Sequence, residues 1–240
     1  ALDGVSLTVR PGTVHALLGE NGAGKSTLMK CLFGIYAKDE GTIELFGEKV
    51  EIHGPHDAQS KGISIIHQEL NLINDLTIYE NMFLTHLPKK RVFLDAKLMQ
   101  EKTRELFQRM NIDLDPCAMV RTLDASYKQI VEICRALMQD ASIIIMDEPT
   151  SSLGEKEVEQ LMKTCRELKS RGIGILFVSH KLEELFELCD RVTVIRDGEY
   201  IETRDIKDWT NDSLIASMVG RTLENQFPKE FGVKGDCMLK

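Results

Sequence analysis

Residues 19–27 near the start of the chain read GENGAGKST and have the composition of a phosphate-binding loop. Gly19, Gly24, Lys25 and Ser26 match the pattern G-x-x-x-x-G-K-[ST], in which successive backbone N–H groups point at phosphate oxygens. Lys25 would reach the β- and γ-phosphates, the Ser26 hydroxyl suits Mg²⁺, and Thr27 can hydrogen-bond phosphate. The alternative is an ordinary tight turn. The strand before the loop and the helix after it favour the phosphate-binding interpretation, because the motif works only in that context.

Two adjacent carboxylates, Asp147 and Glu148, follow the apolar run Ile143–Met146. Such a run predicts a strand buried on both faces, and α/β proteins bind ligands at the carboxyl ends of their strands. Asp147 is therefore the expected partner of Ser26 on Mg²⁺, which leaves Glu148 free to polarise a water. The alternative is a pair that caps the next helix, but that helix is predicted to begin only near Glu155.

Two further polar residues follow predicted strands. Gln68 comes just after the strand 63–66 and could ligate Mg²⁺ or an attacking water, although on its own it is more typical of an exposed loop. His180 ends the strand 175–178 and could contact a phosphate or serve as a structural hydrogen-bonding group. His53 and His56 are separated by Gly-Pro, so they are interpreted as loop residues rather than metal ligands.

The elements that must position these residues alternate between strands and helices. Alternation in residues 5–9 predicts a half-buried strand, and the runs 14–18, 63–66, 143–146 and 175–178 predict buried strands of one parallel sheet. Two hairpins are predicted, with turns at Gly47-Glu48 and Asp197-Gly198. Amphipathic helices follow the phosphate-binding loop and the later strands, so the fold class is α/β.

Between about residues 85 and 140 the pattern becomes helical, which predicts a helical subdomain inserted between strands. Asp95 is a plausible N-cap for a helix with Leu98, Leu106 and Met110 along one side. A second helix over 126–139 places four apolar residues at helical spacing: Ile130, Ile133, Cys134 and Leu137. Beyond a last short helix that ends at Gly220, the chain is polar and resembles a linker, and it ends on CMLK, like the start of another strand.

Composition excludes several classes of protein. The 240 residues are 42% hydrophobic with a net charge of −8, which argues against a large nucleic-acid footprint, although the basic run 89–91 is a possible local contact. The six cysteines are scattered without zinc or disulfide spacing. No apolar stretch approaches the roughly 18–20 residues that cross a bilayer, and no signal peptide opens the chain, so a soluble, cytoplasmic protein is expected.

Taken together, the motifs resemble the nucleotide-binding domain of ATP-binding cassette (ABC) transporters along essentially the whole chain. GENGAGKST is similar to its Walker A motif, HQE to its Q-loop, IIIMDEPTSSL to its Walker B motif and D-loop, and VSHK to its switch histidine. Within that family, the segments CLFGIYAKDEGTI, HQELNLI, VEICRAL and MVGR resemble the carbohydrate importers.

The resemblance implies a P-loop NTPase (RecA-like) core with an antiparallel β subdomain and an inserted helical subdomain. It implies that Mg²⁺ is surrounded by Ser26, Gln68 and Asp147, that Glu148 is the general base, and that Gln68 and His180 assist at the γ-phosphate. It implies that ATP is bound by Gly19, Glu20, Asn21, Gly22, Ala23, Gly24, Lys25, Ser26 and Thr27.

The resemblance also implies an organisation and partners. Residues 1–220 would form one cassette, and residues 221–240 a linker and the start of a truncated second cassette of the same polypeptide. The protein would lie peripherally at the cytoplasmic face of the membrane, bound to membrane-spanning permease subunits and through them to a sugar-binding protein, without nucleic acid. Two alternatives stay open: a soluble ABC ATPase outside transport, and a nucleotide-binding regulatory module with little hydrolysis.

The signature motif departs from the family pattern. The signature, normally of the type Leu-Ser-x-Gly-Gln, is replaced here by Leu123, Asp124, Ala125, Ser126 and Tyr127. In a dimer of cassettes this segment would face the partner's γ-phosphate, where a carboxylate about 4 Å away would be repelled by roughly 4 kcal/mol at an effective dielectric of about 20. We therefore expect a competent site at this chain's P-loop and a weak one at its signature segment.

Overall fold

The computed structural model of the chain describes residues 2–67, 71–84, 88–90, 93–151 and 153–220. Gln68, Arg91, the side chains of the basic pair before it and the predicted linker 221–240 lie outside the described residues. The strands are β1 (Val14–Leu18), β2 (Ile43–Leu45), β3 (Glu48–Val50), β4 (Ile63–Ile66), β5 (Lys89–Lys90), β6 (Phe93–Leu94), β7 (Ile143–Asp147), β8 (Gly174–Val178), β9 (Arg191–Arg196) and β10 (Glu199–Asp205).

Eight α-helices are assigned within the described part of the chain, with short 3₁₀ turns at Val120–Thr122 and Ile206–Asp208. None of them is both long and apolar enough to cross a membrane. The helices are α1 (Lys25–Leu32), α2 (Pro55–Ser60), α3 (Ile78–Met82), α4 (Ala96–Arg109), α5 (Ala125–Met138), α6 (Glu155–Ser170), α7 (Leu182–Leu188) and α8 (Asn211–Val219).

The main sheet has six strands in the order β10-β9-β1-β8-β7-β4, and all neighbouring pairs are parallel except β9 with β10. Val178 pairs with Leu17 on one side and with Asp147 on the other. The carboxyl ends of β1, β7 and β8 therefore finish at one edge of the sheet. This register brings the residues after the three strands together, as the sequence predicted.

The buried strands alternate between two hydrophobic clusters, one on each face of the sheet. Ala16 and Phe177 belong to the cluster that contains buried side chains of helices α3 to α8. Leu17 and Leu176 face the opposite cluster, with Met29 of α1 and Ala58 of α2. Because helices cover both faces, the central strands read as continuous apolar runs.

Two local predictions near the start of the chain were wrong. Residues 5–9 alternate as predicted, with Val5, Leu7 and Val9 half-buried, but they do not form a strand. The nearest strand-like pairing in the described chain is an isolated bridge between Asp3 and Glu199. The first hairpin turns at Phe46-Gly47, one residue earlier than predicted, because Leu45 pairs with Glu48 and both turn residues have positive φ.

The helical region between β4 and β7 contains the two predicted helices and an unpredicted hairpin, β5 with β6. Asp95 caps α4 as predicted, since its carboxylate accepts a hydrogen bond from the Leu98 N–H at 3.1 Å. The Leu98 side chain, however, is 36% exposed rather than part of the core, whereas Leu106 and Met110 are buried. The limits of a separate helical subdomain, about 85–140, stay a prediction.

Candidate nucleotide-binding site

Helix α1 begins directly after a glycine-rich loop that follows β1. Its N-cap is Gly24, with φ 103° and ψ 2°, and no side chain in the described part of the chain caps the helix. Glycine adopts this left-handed conformation without the cost that a Cβ imposes. The first N–H groups of α1 are therefore left to an external acceptor, and the helix dipole favours a negative charge there.

The start of the loop is also restricted to glycine. A Cβ on Gly19 would lie 2.3 Å from the carbonyl oxygen of Ile195 and 2.9 Å from the Cβ of Ala23. Strand β9 thus packs directly against the loop backbone and holds its path.

Lys25 lies across the loop that it follows. Its Nζ donates hydrogen bonds to the carbonyl oxygens of Gly19, at 2.7 Å, and Glu20, at 3.0 Å. Burial lowers the pKa of this ammonium, while the nearby charges of Glu148 and Asp147 act in the opposite direction. The lysine therefore places a positive charge between the loop and the two carboxylates.

The loop and the end of β7 enclose a cavity of about 180 Å³. Loop residues and carboxylates line it together: Asn21, Gly22, Gly24, Lys25, Ser26, Thr27, Asp147 and Glu148. The cavity has backbone donors and a lysine on one side and two acids on the other. Such a lining suits a phosphate chain bound together with a cation.

Asp147 is held in an environment that disfavours its charge. Burial is the largest cause of its raised pKa, followed by repulsion from Glu148, with His67, Lys25 and Lys30 opposing the rise. A cation between Asp147 and a phosphate would relieve this repulsion. Among the described residues no group of three or more acidic, His or Cys side chains could hold a metal alone. The cavity instead offers the oxygen atoms of Ser26 and Asp147. These few donors fit Mg²⁺, which binds through one or two protein oxygens, substrate phosphates and water.

Glu148 adopts a conformation that is rare for a residue with a side chain, with φ 46°. Its N–H donates to the carbonyl of Val178 at 2.9 Å, which links the turn after β7 to the end of β8. His180 lies two residues after the end of β8, and its Nδ1 is 3.4 Å from Glu148 Oε1. The His180 side chain is 64% exposed, so it faces the solvent side of the site.

The structure brings most of the predicted site residues to one edge of the sheet. The loop residues, Asp147, Glu148 and His180 lie together there, while Gln68 falls outside the described residues. Their chemical roles stay predictions. The sequence interpretation missed Glu184, a buried side chain of α7 that contacts the loops after β7 and β8, because an amphipathic helix by itself predicts a solvated glutamate.

The signature segment has a different geometry, since it forms the start of α5. The Asp124 carboxylate is the N-cap and accepts hydrogen bonds at 2.9 Å from both the Tyr127 N–H and the Ser126 hydroxyl. The sequence interpretation treated this carboxylate as free to face a phosphate. In the structure it is bonded within its own helix, and so is the Ser126 hydroxyl, which could otherwise donate to a phosphate.

Comparison with known proteins agrees with this geometry. Over its whole length the chain is 50% identical to the galactose/methyl galactoside import ATP-binding protein MglA of Escherichia coli (strain K12), and equally to that of Sodalis glossinidius (strain morsitans). It covers 47% of each relative, so it spans about half their length.

Solved structures give the same fold. The ATP-binding cassette MJ1267 superposes with a TM-score of 0.79 at 26% identity, covering 91% of each chain. A nucleotide-free ATP-binding cassette from an ABC transporter gives 0.77 at 24% identity, over 93% of this chain and 91% of that one. The ABC transporter family model matches residues 2–151. The chain with this loop, this pair of carboxylates and this sheet therefore belongs to the ABC transporter family.

Proposed function

We propose that this chain binds Mg²⁺ and ATP and hydrolyses the ATP to drive import of a sugar across a membrane. One observation carries the proposal: the uncapped start of α1, Lys25, the two carboxylates after β7 and His180 all meet at one edge of the sheet. The 50% identity to galactose/methyl galactoside import proteins supports a galactoside as the cargo.

The loop and the metal ligands would bind the phosphates. The N–H groups at the start of α1 and the Lys25 ammonium would hold the β- and γ-phosphates, and Ser26, Asp147 and Gln68 would hold Mg²⁺. When bound, Mg²⁺ neutralises charge on the phosphate oxygens, which is the main electrostatic requirement of phosphoryl transfer. The lysine exchanges its bonds to the Gly19 and Glu20 carbonyls for bonds to phosphate.

Glu148 would act on the attacking water. Its carboxylate lines the cavity, is only 25% exposed, and can accept a proton from a water placed in line with the γ-phosphate. His180, at 3.4 Å, restricts the orientation of that carboxylate and can donate to a γ-phosphate oxygen. Catalysis then depends mainly on positioning and charge neutralisation.

The proposal includes an assembly. The chain spans about half the length of the relatives it matches, which supports a protein with two cassettes, of which this chain is one. Membrane-spanning permease subunits would bind it at the cytoplasmic face and receive sugar from a sugar-binding protein. Co-purification of the full-length protein with permease subunits would support this assembly, and co-purification with nucleic acid would contradict it.

The test of hydrolysis is Glu148→Gln in the full-length protein. Removing a general base is expected to lower kcat about 10²–10⁴-fold while ATP binding persists. Glu159→Gln is the matched control, because Glu159 is exposed on α6, away from the cavity. Turnover that is unchanged by Glu148→Gln would contradict the assignment.

A further inference from the structure

Two loops carry the reacting side chains of the proposed site, and a buried acid lies between them. The first loop follows β7 and contains Glu148 and Thr150. The second follows β8 and contains Ser179 and His180. Glu184, on α7, lies behind both loops and is only 7% exposed.

A single carboxylate oxygen joins the two loops. Glu184 Oε2 accepts a hydrogen bond from the Thr150 hydroxyl at 2.8 Å and another from the Ser179 hydroxyl at 3.0 Å. The donors stand two residues after Glu148 and one residue before His180. Hydrogen bonds to an ionised acceptor are stronger than neutral ones, so both loops are tied firmly to one atom.

Lys181 closes the network from the other side. Its Nζ lies 3.2 Å from Glu184 Oε1 and also donates to the carbonyl oxygen of Thr150 at 3.0 Å. Its backbone N–H donates to the Ser179 hydroxyl at 3.1 Å. The buried charge of Glu184 is thus fully paired, and each of its partners belongs to, or contacts, one of the two loops.

The network has a direct geometric consequence for the site. Glu148 has a positive φ, a conformation that persists only where the surroundings impose it, and its carboxylate must meet His180 at 3.4 Å. The Glu148 N–H bond to Val178 fixes only the start of the first loop. The Glu184 carboxylate fixes the rest of that loop relative to the loop that contains His180.

We propose that Glu184 is a positioning residue that holds Glu148 and His180 in register for hydrolysis and contributes nothing to ATP binding. This inference rests on the proposed ATPase function. The phosphate-binding loop at α1 makes no hydrogen bond to the network among the described residues. The two steps, binding and turnover, therefore separate: loss of Glu184 should lower kcat and leave the affinity for ATP unchanged.

The principal test is Glu184→Ala in the full-length protein. A misplacement of about 1 Å at a reacting group costs about 10²-fold, so kcat is expected to fall about 10–100-fold, with KM and the Kd for ATP within about twofold. Glu184→Gln keeps the shape and an oxygen acceptor and should recover part of kcat. Glu187→Ala is the control on the same helix, because Glu187 is exposed and pairs only with Arg166 in the described structure.

A double mutant identifies the route of the effect. If Glu184 acts through the Glu148 and His180 pair, adding Glu184→Ala to His180→Ala should lower kcat by less than about threefold further. A full multiplicative loss in that background would overturn the proposal, as would an equal rise in the Kd for ATP.

Hydroxyl deletions cover the case in which Glu184→Ala does not fold. Thr150→Val and Ser179→Ala each remove one bond to the carboxylate, and each should lower kcat with unchanged ATP affinity. Normal kcat in both would overturn the inference while the wild-type protein still hydrolyses ATP. Absence of hydrolysis by the wild-type protein would instead contradict the proposed function itself.

Discussion

The first turns of α1 and α5 have the same unpaired N–H groups and helix dipole, but only α5 is capped by a side chain. Each has N–H groups without partners in the helix and the positive end of a helix dipole. Helix α1 is preceded by Gly24, which has no side chain to cap it. Helix α5 is preceded by Asp124, which accepts hydrogen bonds from Tyr127 and Ser126.

The difference shows that a dipole alone does not make an anion site. At α1 the N–H groups stay available, and a lysine adds positive charge beside them. At α5 a carboxylate of the chain itself already occupies the position that an external anion would take, and it adds a negative charge. The family resemblance assigns both helix starts to phosphate, yet only the first has the free donors for it.

Among tests of the two helix starts, the largest effect is expected from placing a side chain at the start of α1. Gly24→Ala forces alanine to adopt φ 103° and places a Cβ 2.6 Å from Leu2 Cδ2. Strained backbone costs about 1–3 kcal/mol, so the ligand-free loop should relax out of this conformation. ATP binding must then restore it, and the Kd for ATP should rise about 10–100-fold, as measured by calorimetry.

Gly172→Ala is the matched control for that experiment. Gly172 has φ 84° with open space around it and lies at the end of α6. It should lose comparable stability and keep normal ATP affinity. Equal losses of affinity in both variants would mean that the α1 start is not a special site.

The next effect concerns the other helix start in a dimer of cassettes. Asp124→Ser removes the negative charge and keeps a side chain that can cap α5. Because Asp124 is exposed, solvent and salt reduce the repulsion well below the roughly 4 kcal/mol that an effective dielectric of about 20 gives, and we expect ATP hydrolysis by the full-length protein to rise about three- to tenfold. Unchanged hydrolysis and unchanged ATP-driven dimerisation would contradict the asymmetry between the two helix starts.

The two helix starts also show what sequence predicts and where it stops. The strand, loop and helix at the α1 start were predicted because their information is local: a motif of nine residues between a strand and a helix. The buried strands could be predicted equally well, since continuous runs of apolar residues identify them in the sequence. At α5 the sequence revealed the unusual Asp124 but not its hydrogen bonds, which depend on where its carboxylate points.

Features that depend on tertiary contacts were missed. Glu184 is separated from Thr150 by 34 residues. No sequence pattern indicates that a glutamate of an amphipathic helix will be buried against the loops after β7 and β8. Residues 5–9 have the alternation of a strand, but a strand also needs a hydrogen-bonded neighbour. Leu98 has the spacing of a core residue but lies on the exposed part of α4.

A smaller effect tests whether Asp124 really caps α5. Asp124→Ala should lower the free energy of unfolding by about 1 kcal/mol, while Asp124→Ser should be nearly neutral. Thr210→Ala is the matched control, because Thr210 caps α8 through a 3.2 Å bond from the Ser213 N–H. Denaturant unfolding of the three variants makes the comparison. A neutral Asp124→Ala beside a destabilising Thr210→Ala would show that the α5 start needs no carboxylate.

The smallest expected effect concerns the acid opposite the α1 start. Burial and Glu148 raise the pKa of Asp147 above its usual 3.8, so the folded protein binds its proton more tightly than the unfolded chain does. The resulting stability is present below pH 3.8 and is lost as pH rises through the folded pKa. Asp147→Asn does not titrate, so at pH 7 it should melt about 1–2 °C above the wild type, a small shift because the side chain is only partly buried.

The difference in melting temperature between Asp147→Asn and the wild type should shrink as the pH falls toward the folded-state pKa of Asp147. It should change sign when Mg²⁺ and ATP are bound. Mg²⁺ and ATP stabilise the folded state in proportion to their binding, and the wild type keeps the metal ligand that the variant lacks. Thermal melts with and without Mg²⁺ and ATP at pH 5 and pH 7 measure both changes. If the variant melts below the wild type without ligand at pH 7, Asp147 stabilises the ligand-free protein. Its charge opposite the start of α1 would then not need a cation to offset it.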